Sequence, residues 1–168
     1  MNKVFGIVGW SGSGKTHLIC RLIKALKKRN ITCASVKHSH HNFEIDKEGK
    51  DSFNHLKSGS NEVVIFNENK FAIISSFQKK KILLDEILQK LSKKNEIILI
   101  EGLKNEKIPK IEVTRSSIRK PFIHLNDKYI KGVVLNDEDD MLTTKLPKFK
   151  FKDTEKICMF ILKYLKKC

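Results

Sequence analysis

Residues 9–16 read GWSGSGKT, and this stretch fits the pattern G-x-x-x-x-G-K-[ST] at every fixed position. Its context also fits. Lys3–Val8, KVFGIV, reads as a short buried strand ahead of it, and Leu18, Leu22 and Leu26, with Ile19 and Ile23 beside them, recur behind it at helical spacing. Strand, glycine-rich turn and helix together make a phosphate-binding loop. In it, Gly9, Gly12 and Gly14 let the backbone wrap closely around phosphate oxygens. The N–H groups of the loop and helix N-terminus point at the anion. Lys15 is expected to reach the β- and γ-phosphates, Thr16 to coordinate Mg²⁺ through its hydroxyl, and Ser11 and Ser13 to add donors. A glycine-rich turn that merely starts a helix is the competing reading. The motif implies a nucleoside triphosphate and leaves the base, and whether hydrolysis matters, open.

Outward from the loop, ITCASVK (Ile31–Lys37) reads as a second strand, EVVIFN and FAIISSF as a hairpin joined by ENK, and EIILIEG as a fully apolar strand ending in Glu101. KIEVT and YIKGVVLND are further strands. KDSFNHLKSG forms a turn or two of helix stopping at Gly59. Leu84, Ile87, Leu88 and Leu91 mark one more helix face, and Ile157, Phe160, Ile161, Tyr164 and Leu165 another. Residues 137–153, acidic and then basic, are the loosest segment. The expected fold is α/β, of the P-loop NTPase type: a mainly parallel sheet flanked by helices, with an added antiparallel hairpin, all in one domain spanning residues 1–168. Ligands of such sheets gather at the carboxyl ends of strands. Glu101 is therefore the candidate acid for Mg²⁺ or its water, against the alternative of a strand-capping acid in solvent.

The second strand runs into VKHSHHNFEIDKEGKDS (Val36–Ser52), which holds three of the six histidines. Three readings stay open. His38, His40 and His41 with Asp46 bind a transition ion; or the loop senses the nucleotide and contacts an anionic substrate or partner through Lys37, His38, His40, His41 and Lys50; or it is an exposed polar loop.

Composition sets the outer bounds. The chain has 168 residues and a formal net charge of +15, carried by lysine far more than by its four arginines. This favours anionic partners, but lysines spread along every element also describe a solvated surface, so nucleic acid is the weaker expectation. Cys20, Cys33, Cys158 and Cys168 form no C-x-x-C pair, which argues against a structural zinc and a disulfide framework. No apolar run reaches bilayer-spanning length, and glycine and serine interrupt the N-terminus too early for a secretion signal. The expectation is a cytoplasmic protein without a membrane partner.

The motif order GWSGSGKTHL, VKHSHHNFEIDKEGKDS, KSGS, ILIEGLK and PKIEVTR, with VVLND as a looser match, resembles the molybdopterin-guanine dinucleotide biosynthesis adaptor (MobB) family over Val4 to Asp137. The phosphate loop alone is common, whereas the K-H-x-H-H string and E-G-x-K followed by P-K-I-E-V are specific. The resemblance implies a GTP-binding protein, at most a weak GTPase and usually a homodimer. It would assist the guanylyltransferase that joins GMP to molybdopterin, with GTP and Mg²⁺ as cofactors. It assigns nucleotide binding to Gly9 and Ser11–Thr16, Mg²⁺ to Thr16 and Glu101, and a signature role to His38–His41, Asp46 and the segment Gly49, Lys50, Asp51 and Ser52. His17 departs from the threonine common after Lys-Thr. SFNHLKSGS departs where relatives often carry arginine and alanines, which weakens any arginine-dependent contact at Asn54.

Arg115 and Arg119 follow KIEV and are candidates for holding phosphate or pterin anions, against surface arginines without a ligand. Asn136 and Asp137 are candidates for reading guanine, since a carboxylate accepts two hydrogen bonds from its N1 and N2 groups; a plain turn is the alternative. The competing functions are a small-molecule kinase, which the scarcity of arginine disfavours, a metal-delivery GTPase using the histidines, and a nucleic-acid binder whose affinity would collapse with salt.

Overall fold

The computed structural model describes residues 3–39, 43, 45–76, 81–136 and 143–166. In chain order the elements are β1 (Lys3–Val8), α1 (Lys15–Lys27), β2 (Cys33–Lys37), α2 (Asp51–Lys57), β3 (Glu62–Phe66), β4 (Phe71–Ser75), α3 (Leu84–Lys90), β5 (Ile97–Glu101), β6 (Lys110–Thr114), β7 (Ile130–Leu135), β8 (Lys148–Lys150) and α4 (Thr154–Lys166). They fall into two units, Met1–His38 with Leu91–Cys168, and Ser39–Lys90.

The first unit is built on a six-stranded sheet of order β2-β5-β1-β6-β7-β8, with every described pairing parallel. The central strands are buried on both faces, as in a parallel sheet covered on both sides, and β1 and β5 are largely apolar on each. Phe5, Ile7, Ile97, Leu99, Ile111, Val113 and Val134 turn one face toward Leu18, Leu22 and Leu26 of α1 and Ile157, Ile161 and Leu165 of α4. Both helices thus bury their periodic apolar stripes on the same side. The other face carries Lys110, Glu112 and Thr114, which alternate with Ile111 and Val113 along β6. All five residues of β6 are buried nonetheless.

β8 lies inside the segment expected to be loosest. It is three residues long, KFK, and pairs with β7 so that Phe149 stands opposite Val134. Lys148, Phe149, Lys150, Phe151 and Lys152 alternate at the strand period, a short signal that the acidic-then-basic reading of this segment passed over. The strand is defined by its neighbour and by the stacking of Phe149 on Phe160 of α4, with ring centroids 5.1 Å apart.

The second unit contains the expected hairpin. β3 and β4 are antiparallel, with Val63 opposite Ile74. Asn67 closes the turn, its side-chain oxygen accepting the N–H groups of Asn69 and Lys70 at 3.0 and 2.8 Å. α2 starts at Asp51, whose carboxylate in the first turn suits the helix dipole, and it ends just before Gly59.

Candidate functional site: the carboxyl edge of the parallel sheet

β1 ends at Val8 and the chain turns through residues 9–14 into α1. Two glycines are required by the geometry. A Cβ on Gly9 would stand 2.3 Å from the Val113 carbonyl oxygen, so only glycine lets the loop leave the sheet this close to β6. Gly14 has φ +95°, and a Cβ there would meet the Phe151 ring at 2.9 Å. Between them, Ser11 and Gly12 form the exposed tip and Ser13 is buried, its N–H donating to the Trp10 carbonyl at 3.2 Å.

Lys15 folds back across this loop and donates its ammonium to the Trp10 carbonyl at 2.8 Å. Burial pushes the Lys15 pKa down. Glu101 opposes that shift, while Lys104 and Lys37 add to it. A cation held in a partly dry site with other cations nearby is one that an incoming polyanion stabilises.

Register places the acid. Glu101 ends β5, between Ile7 of β1 and Lys37 of β2. The Thr16 hydroxyl donates to Glu101 Oε1 at 2.8 Å, and Lys37 Nζ lies 4.0 Å from the same oxygen. His38 follows at the same edge, its N–H donating to the Glu101 carbonyl at 3.1 Å. The Thr16 and Glu101 oxygens have the spacing of neighbours in an octahedral Mg²⁺ shell, whose adjacent oxygens at ~2.1 Å from the ion stand ~3 Å apart.

Arg115 continues β6 past its carboxyl end, and its guanidinium would lie 3.0 Å from a Cβ on Gly14. The group is 5.4 Å from the Phe151 ring centroid, and Arg21 covers the same ring at 4.4 Å. Buried Ser13 Oγ and Arg115 Nε have no hydrogen-bond partner among the described residues. Loop N–H groups, an ammonium, a guanidinium and a spare hydroxyl therefore converge on one place. This donor set fits a polyphosphate, and the Thr16–Glu101 pair beside it fits Mg²⁺.

Asn136 follows β7 at the same carboxyl edge and is half-buried. Asp137, His40 and His41 lie outside the described residues. Asp46, Lys50, Asp51 and Ser52 belong to the second unit. There Asp46 accepts the Lys47 N–H at 3.0 Å, Lys50 precedes α2, and Asp51 and Ser52 form its first turn. Arg119 is exposed after a 3-10 turn at Ser116–Ile118. No group of three or more His, Cys, Asp or Glu side chains with metal-binding placement occurs among the described residues. No described helix is long and apolar enough to cross a membrane.

Sequence reasoning missed Trp10, Lys110, Glu112, His124 and Phe151. Lys110 is fully buried and donates to the carbonyls of Lys104 and Glu106 at 2.5 and 2.8 Å and to the Asp127 carboxylate at 2.5 Å. Glu112, also fully buried, accepts the N–H groups of Ile123 and His124 at 2.8 and 3.0 Å, and His124 Nδ1 at 2.7 Å. The available signal was P-K-I-E-V itself, whose charged residues have a structural use that the motif alone does not reveal.

The family model for molybdopterin guanine dinucleotide synthesis protein B matches residues 4–136. The chain belongs to this family. Among MobB relatives, the molybdopterin-guanine dinucleotide biosynthesis adapter protein of Haemophilus influenzae is 40% identical over 134 residues, 79% of this chain and 74% of that protein. The Escherichia coli adapter protein is 29% identical over 170 residues, 99% of this chain and 95% of its own length. A crystal structure of molybdopterin-guanine biosynthesis protein B superposes with a TM-score of 0.74 at 28% identity, covering 97% of this chain and 99% of that one. Bacillus subtilis MobB has the same fold, with a TM-score of 0.74 at 21% identity and 96% coverage of both chains. Phe151, β8 and α4 lie beyond the span matched by the MobB family model.

Proposed function

We propose that the protein is a GTP-binding adaptor that assists the attachment of GMP to molybdopterin, working with the molybdenum cofactor guanylyltransferase in the cytoplasm. The observation that carries this reading is the convergence of the phosphate loop, Lys15, Thr16 and Glu101 at one sheet edge, in a chain whose relatives are named as adapter proteins of this pathway. The loop N–H groups, Lys15 and Arg115 bind the phosphates. Thr16 and Glu101 would hold Mg²⁺, which when bound would neutralise phosphate charge. Asn136 with Asp137 reads the guanine. Lys37 and His38, beside Glu101, begin the loop that contacts substrate or partner, which Asp46, Lys50, Asp51 and Ser52 continue. An adaptor needs slow turnover at most, so hydrolysis is weak. A homodimer is the natural assembly: Phe66, Phe71, Val64 and Ile73 of the β3–β4 hairpin are exposed, and a second copy would cover such apolar surface.

The test is a titration with GTP and ATP analogues, with and without Mg²⁺, beside Lys15→Ala. GTP preference lost in the variant supports the adaptor. ATP preference sinks it in favour of a small-molecule kinase, and absence of binding to either removes the nucleotide from the reading.

A further inference from the structure

On the sheet face opposite α1 and α4, the chain builds a second site. A cleft of about 450 Å³ is lined by Trp10, Lys104, Lys107, Phe122, Asn126 and Tyr129, among others. That volume lies in the range of small-molecule pockets. Three strand ends supply its walls: Trp10 follows β1, Lys104 and Lys107 follow β5, and Phe122 follows β6.

The buried charges of β6 exist to hold these walls. Lys110 joins the 104–107 wall to the 121–129 wall through the Lys104 and Glu106 carbonyls and Asp127, and Glu112 ties down the latter through Ile123 and His124. Burying a charge on a sheet is costly unless every bond is made. Here two charges two residues apart are spent on the two sides of one cleft. The indole is fixed as well, its Nε1–H donating to the Pro121 carbonyl at 2.8 Å. Lys104 Nζ sits 3.5 Å from the indole centroid and Lys120 Nζ 6.0 Å. Burial pushes the Lys104 pKa down while Glu112 opposes the shift, so an anion in the cleft would relieve a strained cation.

Aromatic walls, exposed amides and a set of ammonium groups match one ligand chemistry. We infer that the cleft beside Trp10 binds a planar anionic heterocycle, an amino-oxo-pyrimidine ring system carrying a phosphate or carboxylate, at a site distinct from the phosphate loop. Pterin and guanine share that ring chemistry; the identification of the source rests on the adaptor reading above. Trp10 links the two sites, since its carbonyl receives Lys15 while its side chain lines the cleft.

Trp10 is the single tryptophan of the chain, and with the phosphate loop already saturated any further change in its fluorescence reports the cleft. The protein is first saturated with a non-hydrolysable GTP analogue and Mg²⁺, and binding of that analogue is measured separately. Pterin-6-carboxylate, GMP and inorganic phosphate are then titrated in parallel, with absorbance correction and calorimetry as a second readout. The expected result is saturable quenching by pterin-6-carboxylate or GMP, the stronger of the two naming the source. Lys107→Glu, on the exposed rim, and Lys104→Ala should each weaken it, the pair by at least ~10-fold. Equal responses to inorganic phosphate and the heterocycles would overturn the site as a heterocycle site, and so would affinity unchanged in both variants. Protein that binds the GTP analogue yet gives no saturable response overturns the cleft and leaves the nucleotide reading intact. If the analogue itself does not bind, that reading fails, and the same titrations on nucleotide-free protein decide the cleft.

Discussion

Replacing Glu112 by alanine tests whether a buried charge holds the loop that follows β6. The carboxylate is fully buried and receives three donors: Ile123 N at 2.8 Å, His124 N at 3.0 Å and His124 Nδ1 at 2.7 Å. Alanine removes both acceptor oxygens and with them all three hydrogen bonds. Each buried donor left unpaired costs ~1–3 kcal/mol before relaxation. The loop can move and admit water, so the expected loss is below the simple sum, ~3–5 kcal/mol, the range for breaking one side of a buried polar pair. Glu112→Gln keeps one carbonyl oxygen, enough for His124, but sets an NH2 donor against the Ile123 N–H and surrenders the charge, and should lose ~1–3 kcal/mol. Urea unfolding followed by Trp10 fluorescence measures both, because the indole is bonded to Pro121 at the start of the same loop. Thermal melts should fall by ~2–4 °C per kcal/mol. Alanine within ~1 kcal/mol of the parent protein, at an unchanged denaturant slope, would refute the assignment of Glu112 as the tether. So would a glutamine variant as damaged as the alanine one.

Two further outcomes follow from the site. Phe151→Leu keeps an apolar side chain near Gly14 but removes the ring that Arg21 and Arg115 cover at 4.4 and 5.4 Å; a melt should register a loss of ~1–2 kcal/mol, and an unshifted transition denies Phe151 its bracing role. Nucleotide affinity should depend on pH through Lys15, whose pKa burial lowers in the free protein. Bound phosphates raise that pKa again, so binding takes up a proton above the lowered value. Affinity is then full below it and falls as pH rises through it. Lys15→Arg, whose guanidinium stays charged throughout, should flatten this dependence in the same titration across pH, and an identical slope in that variant would rule out Lys15 as its source.

Much of the fold was legible along the chain because local rules act on contiguous residues. Gly9–Thr16 announced strand, loop and helix through glycine spacing, and the apolar run ending at Glu101 announced a buried parallel strand next to it. The stripe on α4 needed no partner to be recognised. β8 was different. Its KFKFK alternation has the strand period but is only five residues long, and which strand it pairs with depends on β7 lying alongside.

Residue order alone was enough to place the glycine-rich loop between β1 and α1 and to point to phosphate chemistry, since backbone donors, a lysine and a hydroxyl must follow one another to surround an anion. What the residues of KIEVT do depends on how distant segments pack over β6. Alternation along a strand shows that Lys110 and Glu112 share a face. It cannot show that residues 104–107 and 121–129 fold over that face and bury both charges. The same holds for Phe151, 137 residues beyond Gly14 in sequence and in contact range of it in space. Loop closure over such distances is set by the packing of the whole sheet, and no local pattern records it.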